Sequence, residues 1–566
     1  MPNRIKVNLK KTQLLVLLLL LGASASFGQQ KQWLFLSDKG PEQSFWAAHP
    51  EGLLSEKARE RRAQVGNAIG VQDYPISSVY LKKLTDAGFE ITGSSKWLNA
   101  VSVKTDMDLA SIQTVCPEVV AMKQVAGFSN TAIHDIDLRK KKKGKKKDKT
   151  VLRTNTFDYG SAQTQTEILN LNCLHDRGFT GANVLIAVFD AGFYGMDTIK
   201  AFDSLRLQGR LHSYYDFVNG DTTVFDENNH GMNVASCIVA NLPGEYLGTA
   251  PHAMVALART ENVFSETHQE EDNWLMAVEW ADSLGADIIQ SSLGYTTFDQ
   301  GEGDFTYSDL DGNTTVVALA ADLAAKRGIL VVNSAGNEGN GSWRHISSPC
   351  DGDSVLCVGA VTSSLSPASF SGVGPSADGQ TKPDVAAMGQ GASVIGTDGE
   401  PGFASGTSFS APQMAGFAAC LRGAHPDRTN MEVISAIRRS GTQFVTPDTL
   451  IGYGIPDACK ADSILDFMDS LALAATHPVS ISNAIQIAPN PAQDRLTITN
   501  THKKVDIARI EIVSMEGKTH YKRNGIGRNR ISKQVDVPIS KLAPGVYFLH
   551  LNLSDGQFVS RKFVKQ

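Results

Sequence analysis

A chain of 566 residues exceeds one ordinary domain and predicts two to four. With 42% hydrophobic and 20% charged residues it has apolar surface for a sizeable core, which excludes a wholly disordered chain. The net charge of -6 conceals a division: +10 over residues 1–150, -24 over 151–484 and +8 over 485–566, and the acidic middle excludes nucleic acid as its partner.

Residues 1–28 read as a secretory signal peptide. Arg4, Lys6, Lys10 and Lys11 precede the apolar block Leu14 to Leu21, and small residues from Ala23 to Gly28 follow. The block is too short to span about 30 Å of hydrocarbon at 1.5 Å per residue, and no later segment is apolar enough, so the mature chain is expected to be soluble. Next, KQWLFLSDKG reads as a strand, SEKARERRAQVG as a charged helix and FEITGSSKWLNAVSVKT as a strand pair; DLASIQTV reads as a helix and VVAMKQV as a strand. Together, residues 29–138 predict a compact α+β module. The run RKKKKGKKKDK (139–149) cannot pack against itself, so 139–150 is expected to be an exposed linker open to proteolysis.

From Asn183 the pattern changes to apolar strands alternating with amphipathic helices: VLIAVFD, HGMNVASCIVA, MVALART, WLMAVEWADSLG, ADIIQSSLG, VVALAADLAAKRG and ILVVNSAGN. This alternation predicts an α/β domain over 151–475, a parallel sheet with helices on both faces. Ligands of such sheets gather at the carboxyl ends of the strands, where Asp190, Ser292 and Asn337 fall. A linker is expected at 476–484, and all of HPVSISNAIQIAPNPAQ has linker character. Short strands then run to the end (DRLTITN, ARIEIVS and GVYFLHLNLSDGQFVSRKFVKQ), with turns at MEGK and at an Asp-Gly pair, predicting a small β-sandwich over 485–566.

GFASGTSFSAP (402–412) sets Ser408 among small residues at a helix start. A serine hydroxyl is a weak nucleophile unless a base, an orienting carboxylate and oxyanion donors accompany it. NNHGMNVAS offers His230 as base, VFD ends in Asp190 as orienter, and SAGNEG offers the Asn337 amide. A blander reading makes Ser408 a helix cap on a small-residue helix, and both roles are expected, since the positive end of a helix dipole also favours a nucleophile.

VFDAG, HGMNVAS, SAGNEG and SGTSFSAP, in that order, resemble the subtilisin-like (subtilase, S8) serine protease family. The resemblance implies a subtilisin-like fold in which Asp190 orients, His230 is general base and acid, Asn337 stabilises the oxyanion and Ser408 attacks. It implies that Ser292, Leu293 and Gly294, in SSLG, pair with an extended peptide. The family commonly has a second histidine three residues after the base; here Asn233 stands there, which implies altered local hydrogen bonding with little loss of activity. The N-terminal module resembles a subtilase propeptide, which implies an intramolecular inhibitor. IAPNPAQDRLTI and the C-terminal strands resemble the sorting domain of type IX secretion substrates. That resemblance implies the type IX machinery as partner, export through periplasm and outer membrane, and a secreted or cell-surface product.

The expected function is therefore a secreted serine endopeptidase with protein or peptide substrates and no cofactor. Two alternatives stand beside it, a non-catalytic surface adhesin on the same scaffold and an amidase or esterase using the same triad. Asp309 and Asp311 are closely spaced carboxylates that could hold structural calcium, but the loop lacks the full ligand register, so no metal ligand is assigned. Of the seven cysteines, Cys350 and Cys357 are the best candidate pair, while Cys237 and Cys420 read as core hydrophobes.

Overall fold

A computed structural model describes residues 31–124, 157–300, 302–476, 485–501, 506–514, 518–524, 534–553 and 558–566. The signal peptide, the Lys-rich run, most of MEGK and the Asp-Gly turn fall outside the described residues. The chain divides into two compact units, one of residues up to 49 with 70–126, the other of residues 50–69 with everything from 127 onward.

In chain order the first stretch holds β1 (Lys31–Leu36), α1 (Glu56–Gln64), α2 (Ser78–Asp86), β2 (Glu90–Ser95), β3 (Ala100–Lys104), α3 (Leu109–Val115) and β4 (Val119–Gln124). In the first unit the strands form an antiparallel sheet of order β2-β3-β1-β4, with Leu34, Leu84, Val101, Val103 and Ile112 in its core. Sequence reading missed α2. Its hydrophobic content is thin, only Tyr80 and Leu84 being buried, and the Ser77 cap on Val79 N–H starts the helix. Helix α1 belongs to the second unit.

The second unit is built on β5 (Leu185–Asp190), β6 (Leu211–Asp216), α4 (His230–Val239), β7 (Met254–Arg259), α5 (His268–Leu284), β8 (Ile288–Ser291), α6 (Val316–Lys326), β9 (Leu330–Ser334), β10 (Val355–Val361), β11 (Val385–Met388), the hairpin β12 (Ala392–Ile395) and β13 (Pro401–Ala404), α7 (Thr407–Ala424), α8 (Asn430–Ser440) and α9 (Ala458–Thr476). Seven strands form one parallel sheet of order β11-β10-β9-β8-β5-β7-β6. Strands β5, β8, β9 and β10 are buried along their whole length, as a sheet covered on both faces requires. The chain fills the β5-β7-β6 side first and then crosses to β8, so the winding reverses beside β5, the place where such sheets open a crevice.

After α9 come β14 (Ile485–Ala488), β15 (Arg495–Asn500), β16 (Ile507–Ser514), β17 (Thr519–Asn524), β18 (Gln534–Pro538), β19 (Gly545–Leu553) and β20 (Phe558–Lys565). Two antiparallel sheets, β14-β15-β18 and β17-β16-β19-β20, close on one core that includes Leu496, Ile498, Ile510, Ile512, Val537, Leu549 and Leu551. Strand β14 corrects the linker reading of IQIA: Ile485 pairs with Asn500 and is buried in this core.

Disulfides join Cys350 to Cys357, the pair expected from sequence, and Cys173 to Cys459, a pair 286 residues apart that sequence gave no means to find. Cys116, Cys237 and Cys420 are buried free thiols. Among the described residues no helix is long and apolar enough to cross a membrane.

Candidate active site

Asp190 is the last residue of β5 and is fully buried. Its Oδ1 accepts hydrogen bonds from Ala191 N–H at 2.8 Å and from His230 Nδ1 at 2.8 Å, while Oδ2 is buried without a partner among the described residues. A carboxylate only accepts, so the ring proton sits on Nδ1 and the Nε2 lone pair is left to take a proton. Burial disfavours the imidazolium, but the Asp190 charge and its hydrogen bond outweigh that cost and hold the His230 pKa above the ordinary histidine value.

The chain reaches this geometry through two glycines. A Cβ on Gly231 would lie 2.4 Å from the Gly192 carbonyl oxygen and 2.7 Å from Asp190 Cβ, so only glycine lets the start of α4 sit against the end of β5. Gly192 has φ +147°, and a side chain there would meet the backbone of Asn228 at 2.8 Å. Asn228 Oδ1 in turn accepts from His230 N–H at 2.7 Å, a support absent from the sequence reading.

Ser408 is the second residue of α7 and is almost wholly buried; the helix is entered through Gly406 with no side-chain cap. The capping role weighed for Ser408 is therefore not the one it fills. Its neighbour Phe409 brings the two helix starts together, with ring centroids of Phe409 and His230 6.0 Å apart. Among the described residues none bonds Ser408 Oγ, so the serine–histidine hydrogen bond is not formed here, and catalytic bonds commonly tighten only with substrate bound.

Pro412 lies four residues after Ser408 and has no N–H to give the Ser408 carbonyl. The Ser292 hydroxyl fills that place, donating to the Ser408 carbonyl at 2.9 Å while Gln290 Nε2 donates to Ser292 Oγ at 2.7 Å. Ser292, in the stretch expected to pair with an extended peptide, thus turns its side chain inward to hold the backbone of Ser408. Leu293 is half-buried with its carbonyl bound by Asn333 Nδ2 at 2.9 Å, and Gly294 is exposed. A Cβ on Gly294 would lie 2.0 Å from Ser347 Oγ, so this stretch runs tight against the neighbouring loop.

Asn337 is exposed, two residues beyond the buried Ala335. Its Oδ1 accepts from Thr407 N–H at 2.8 Å and Thr407 Oγ1 at 2.9 Å, which leaves the Nδ2 hydrogens uncommitted among the described residues beside the start of α7. Asn233, in the place of the second histidine, is buried in α4 and donates through Nδ2 to the Ile395 carbonyl at 2.6 Å, tying α4 to β12.

An acidic patch lies next to these residues. Glu261, just after β7, accepts from Tyr295 OH at 2.7 Å and from Thr260 Oγ1 at 2.8 Å; Glu270 accepts the Thr267 N–H at 2.7 Å as it caps α5. Burial, aided by the charges of Asp190 and Glu271, raises the Glu261 carboxyl pKa; burial with the charges of Glu261 and Glu266 raises that of Glu270, and burial with the charges of Glu261 and Asp299 pushes Glu266 up to about 8. Asp309 and Asp311, the residues weighed for calcium, instead accept hydrogen bonds from nearby Thr306, Asn313 and Thr314. Among the described residues no group of three or more His, Cys, Asp or Glu is arranged to hold a metal.

Known families match three stretches of the chain. The Peptidase S8 propeptide domain of Bacteroidota matches residues 31–148, the subtilase family 181–454, and the secretion system C-terminal sorting domain 486–566. The last marks the chain for export through the outer membrane, to the medium or the cell surface. Subtilisin NAT of Bacillus subtilis subsp. natto is 33% identical over 275 residues, covering 48% of this chain and 63% of that protein. Subtilisin of Bacillus pumilus is 32% identical over 275 residues, covering 48% of this chain and 87% of that one. A solved structure of MycP1 with its N-terminal propeptide removed aligns over 53% of this chain and 96% of that chain, at 25% identity and a TM-score of 0.41. The chain thus spans 63% of the length of Subtilisin NAT but 87% of the shorter subtilisin, and a likeness of that extent means that it belongs to the subtilase family.

Proposed function

We propose that this protein is an exported serine endopeptidase, made with an N-terminal propeptide that blocks it and a C-terminal domain that the secretion machinery reads. The observation that carries this is the bond from His230 Nδ1 to the buried Asp190, formed beside the helix that starts at Ser408.

In the proposed reaction Ser408 Oγ attacks the scissile carbonyl and His230 Nε2 takes its proton. The imidazolium that forms is stabilised by the Asp190 carboxylate. Negative charge gathers on the former carbonyl oxygen, opposite the Asn337 amide and the Ser408 N–H, where preorganised donors act most strongly. The nitrogen of the leaving chain receives the proton from His230, water enters, and the same steps in reverse order hydrolyse the acyl-enzyme. An extended peptide lies along residues 292–294, held by main-chain hydrogen bonds.

The test is the processed protein and its Ser408→Ala variant, assayed on casein and with a serine-directed phosphonate. The unmutated protein is expected to hydrolyse casein and to carry the label on Ser408. Equal hydrolysis by the variant, or an unlabelled Ser408 in the unmutated protein, sinks the reading.

A further inference from the structure

Strands β8 and β9 pair in parallel as far as Ser291 and Asn333, and beyond that point their chains part. Residues 292–294 continue one strand and 335–337 the other, so a gap opens between them at the carboxyl end of the sheet. Residues 347 and 348 are wedged into this gap. On one side Ser347 N–H donates to the Ala335 carbonyl at 3.2 Å; on the other, Tyr295 N–H donates to the Ser348 carbonyl at 2.9 Å and Ser348 N–H to the Tyr295 carbonyl at 3.3 Å. Main-chain bonds to both walls leave the wedge little freedom.

Between those bonds the Ser347 side chain stands against a glycine on each wall. A Cβ on Gly294 would lie 2.0 Å from Ser347 Oγ and 2.8 Å from Ser347 Cβ; one on Gly336 would lie 3.0 Å and 3.5 Å from the same atoms. A side chain at 294 would therefore collide with Ser347, and at 336 the left-handed backbone, φ +95°, favours glycine as well. Both walls of the slot are bare backbone, and the one side chain between them is that of Ser347.

Ser347 is only 5% exposed, and its Oγ has no hydrogen bond among the described residues. A buried hydroxyl without a partner costs stability, so packing alone does not recommend serine over alanine or glycine here. The hydroxyl is instead available to a group that arrives from outside.

The slot adjoins the proposed chemistry. Ser292 Oγ holds the Ser408 carbonyl at 2.9 Å, and Asn337 Oδ1 holds Thr407 N–H at 2.8 Å, so both walls reach the start of α7. A carbonyl carbon placed for attack by Ser408, with its oxygen towards Asn337, lies at the mouth of the gap. The side chain of that same residue is attached one bond away. With the peptide main chain running along 292–294, the gap between the two walls is the space that remains for it.

We propose that Ser347 sets which residue is accepted before the scissile bond: standing between Gly294 and Gly336, it admits a side chain the size of alanine or serine and turns away leucine and phenylalanine. A serine there also supplies a partner for Ser347 Oγ. The inference rests on the proposed acyl transfer at Ser408 and deepens it by naming the substrate class.

The processed protein is assayed on four peptide p-nitroanilides that differ only in the residue before the cleaved bond, alanine, serine, leucine or phenylalanine, and is labelled in parallel with the serine-directed phosphonate. For the unmutated protein, kcat/KM on the alanine and serine peptides is expected to exceed that on the other two by about tenfold or more. Ser347→Gly empties the slot and is expected to raise the phenylalanine-to-alanine ratio of kcat/KM by about tenfold or more. Each ratio compares substrates on one preparation, so a loss of folded enzyme cancels out of it. A labelled Ser408 together with any other ranking in the unmutated protein overturns this inference and leaves the proposed function standing. Unchanged ratios in Ser347→Gly overturn it too. Hydrolysis of none of the four peptides, with no label on Ser408, sinks the proposed function and this inference with it. Should Ser347→Gly fail to fold, the ranking by the unmutated protein decides alone.

Discussion

The two ends of the parallel sheet handle buried charge in opposite ways. At the amino ends the charge of Asp282 is answered: two guanidinium groups, those of Arg61 and Arg62, three carbonyls and one carboxylate share a buried contact. At the carboxyl ends, capacity is left unused: Asp190 Oδ2, Ser408 Oγ and the Asn337 amide hydrogens have no partner among the described residues. A saturated cluster fixes a position; an unsaturated one is ready for atoms that arrive later. The same fold separates the two by the length of its strands.

The largest effect should come from disturbing the unsaturated end. Asp190→Asn is expected to lower kcat by about 10⁴-fold, because an amide does not hold the reactive ring tautomer. The acidic limb of the pH–rate profile checks the cause. Activity requires neutral His230, so it rises with pH through a pKa that Asp190 holds above the ordinary value; without that charge the limb moves to lower pH. At the saturated end, Asp282→Asn is expected to remove about 3–5 kcal/mol of stability from the unprocessed chain, read by denaturant unfolding, since it strands two buried cations.

Asn337→Ala should lower kcat by about 10²–10³-fold with KM little changed, a scale known from this kind of donor in subtilisin. Unchanged kcat would mean that the open amide is not aimed at the reacting carbonyl. Ser292→Ala removes the hydroxyl that stands in for the missing Pro412 N–H. A loss of about 1–3 kcal/mol in stability is expected, since the Ser408 carbonyl is left without its donor.

The smallest effect concerns the acidic patch. Glu266 titrates at about 8 in the folded chain against an ordinary 4.5, so above pH 4.5 the unfolded chain ionises first and stability falls until pH 8 is passed. Glu266→Gln is therefore expected to raise Tm by about 2–4 °C at pH 9 and to leave it unchanged at pH 5.

What sequence could disclose follows the same division. The meeting of His230 with Asp190 was legible because small residues beside each let the two elements close up, as Gly231 against Asp190 illustrates. The parallel sheet was legible because its strands are apolar on both faces. Arg61 and Arg62 were not legible: SEKARERRAQVG looks like a solvated helix, and only Asp282, some 220 residues away, makes those arginines interior. Ser292 was read by its resemblance to a substrate strand, and its hydroxyl proved to serve Ser408, because the need created by Pro412 appears only when the two elements meet. The Cys173–Cys459 pair and β14 likewise depend on partners that no local pattern names.

The Cys173–Cys459 bond turns the α/β domain into a covalent ring, closed just before the C-terminal sandwich begins. On the proposed function, copies of the protein attack one another, and the exposed loops within that ring are where they cut. A single nick there leaves the molecule in one piece, its mass intact on a non-reducing gel and divided only when thiols are added. Loss of the sorting tail beyond residue 485 leaves the ring untouched, so the exported body can shed its address without coming undone.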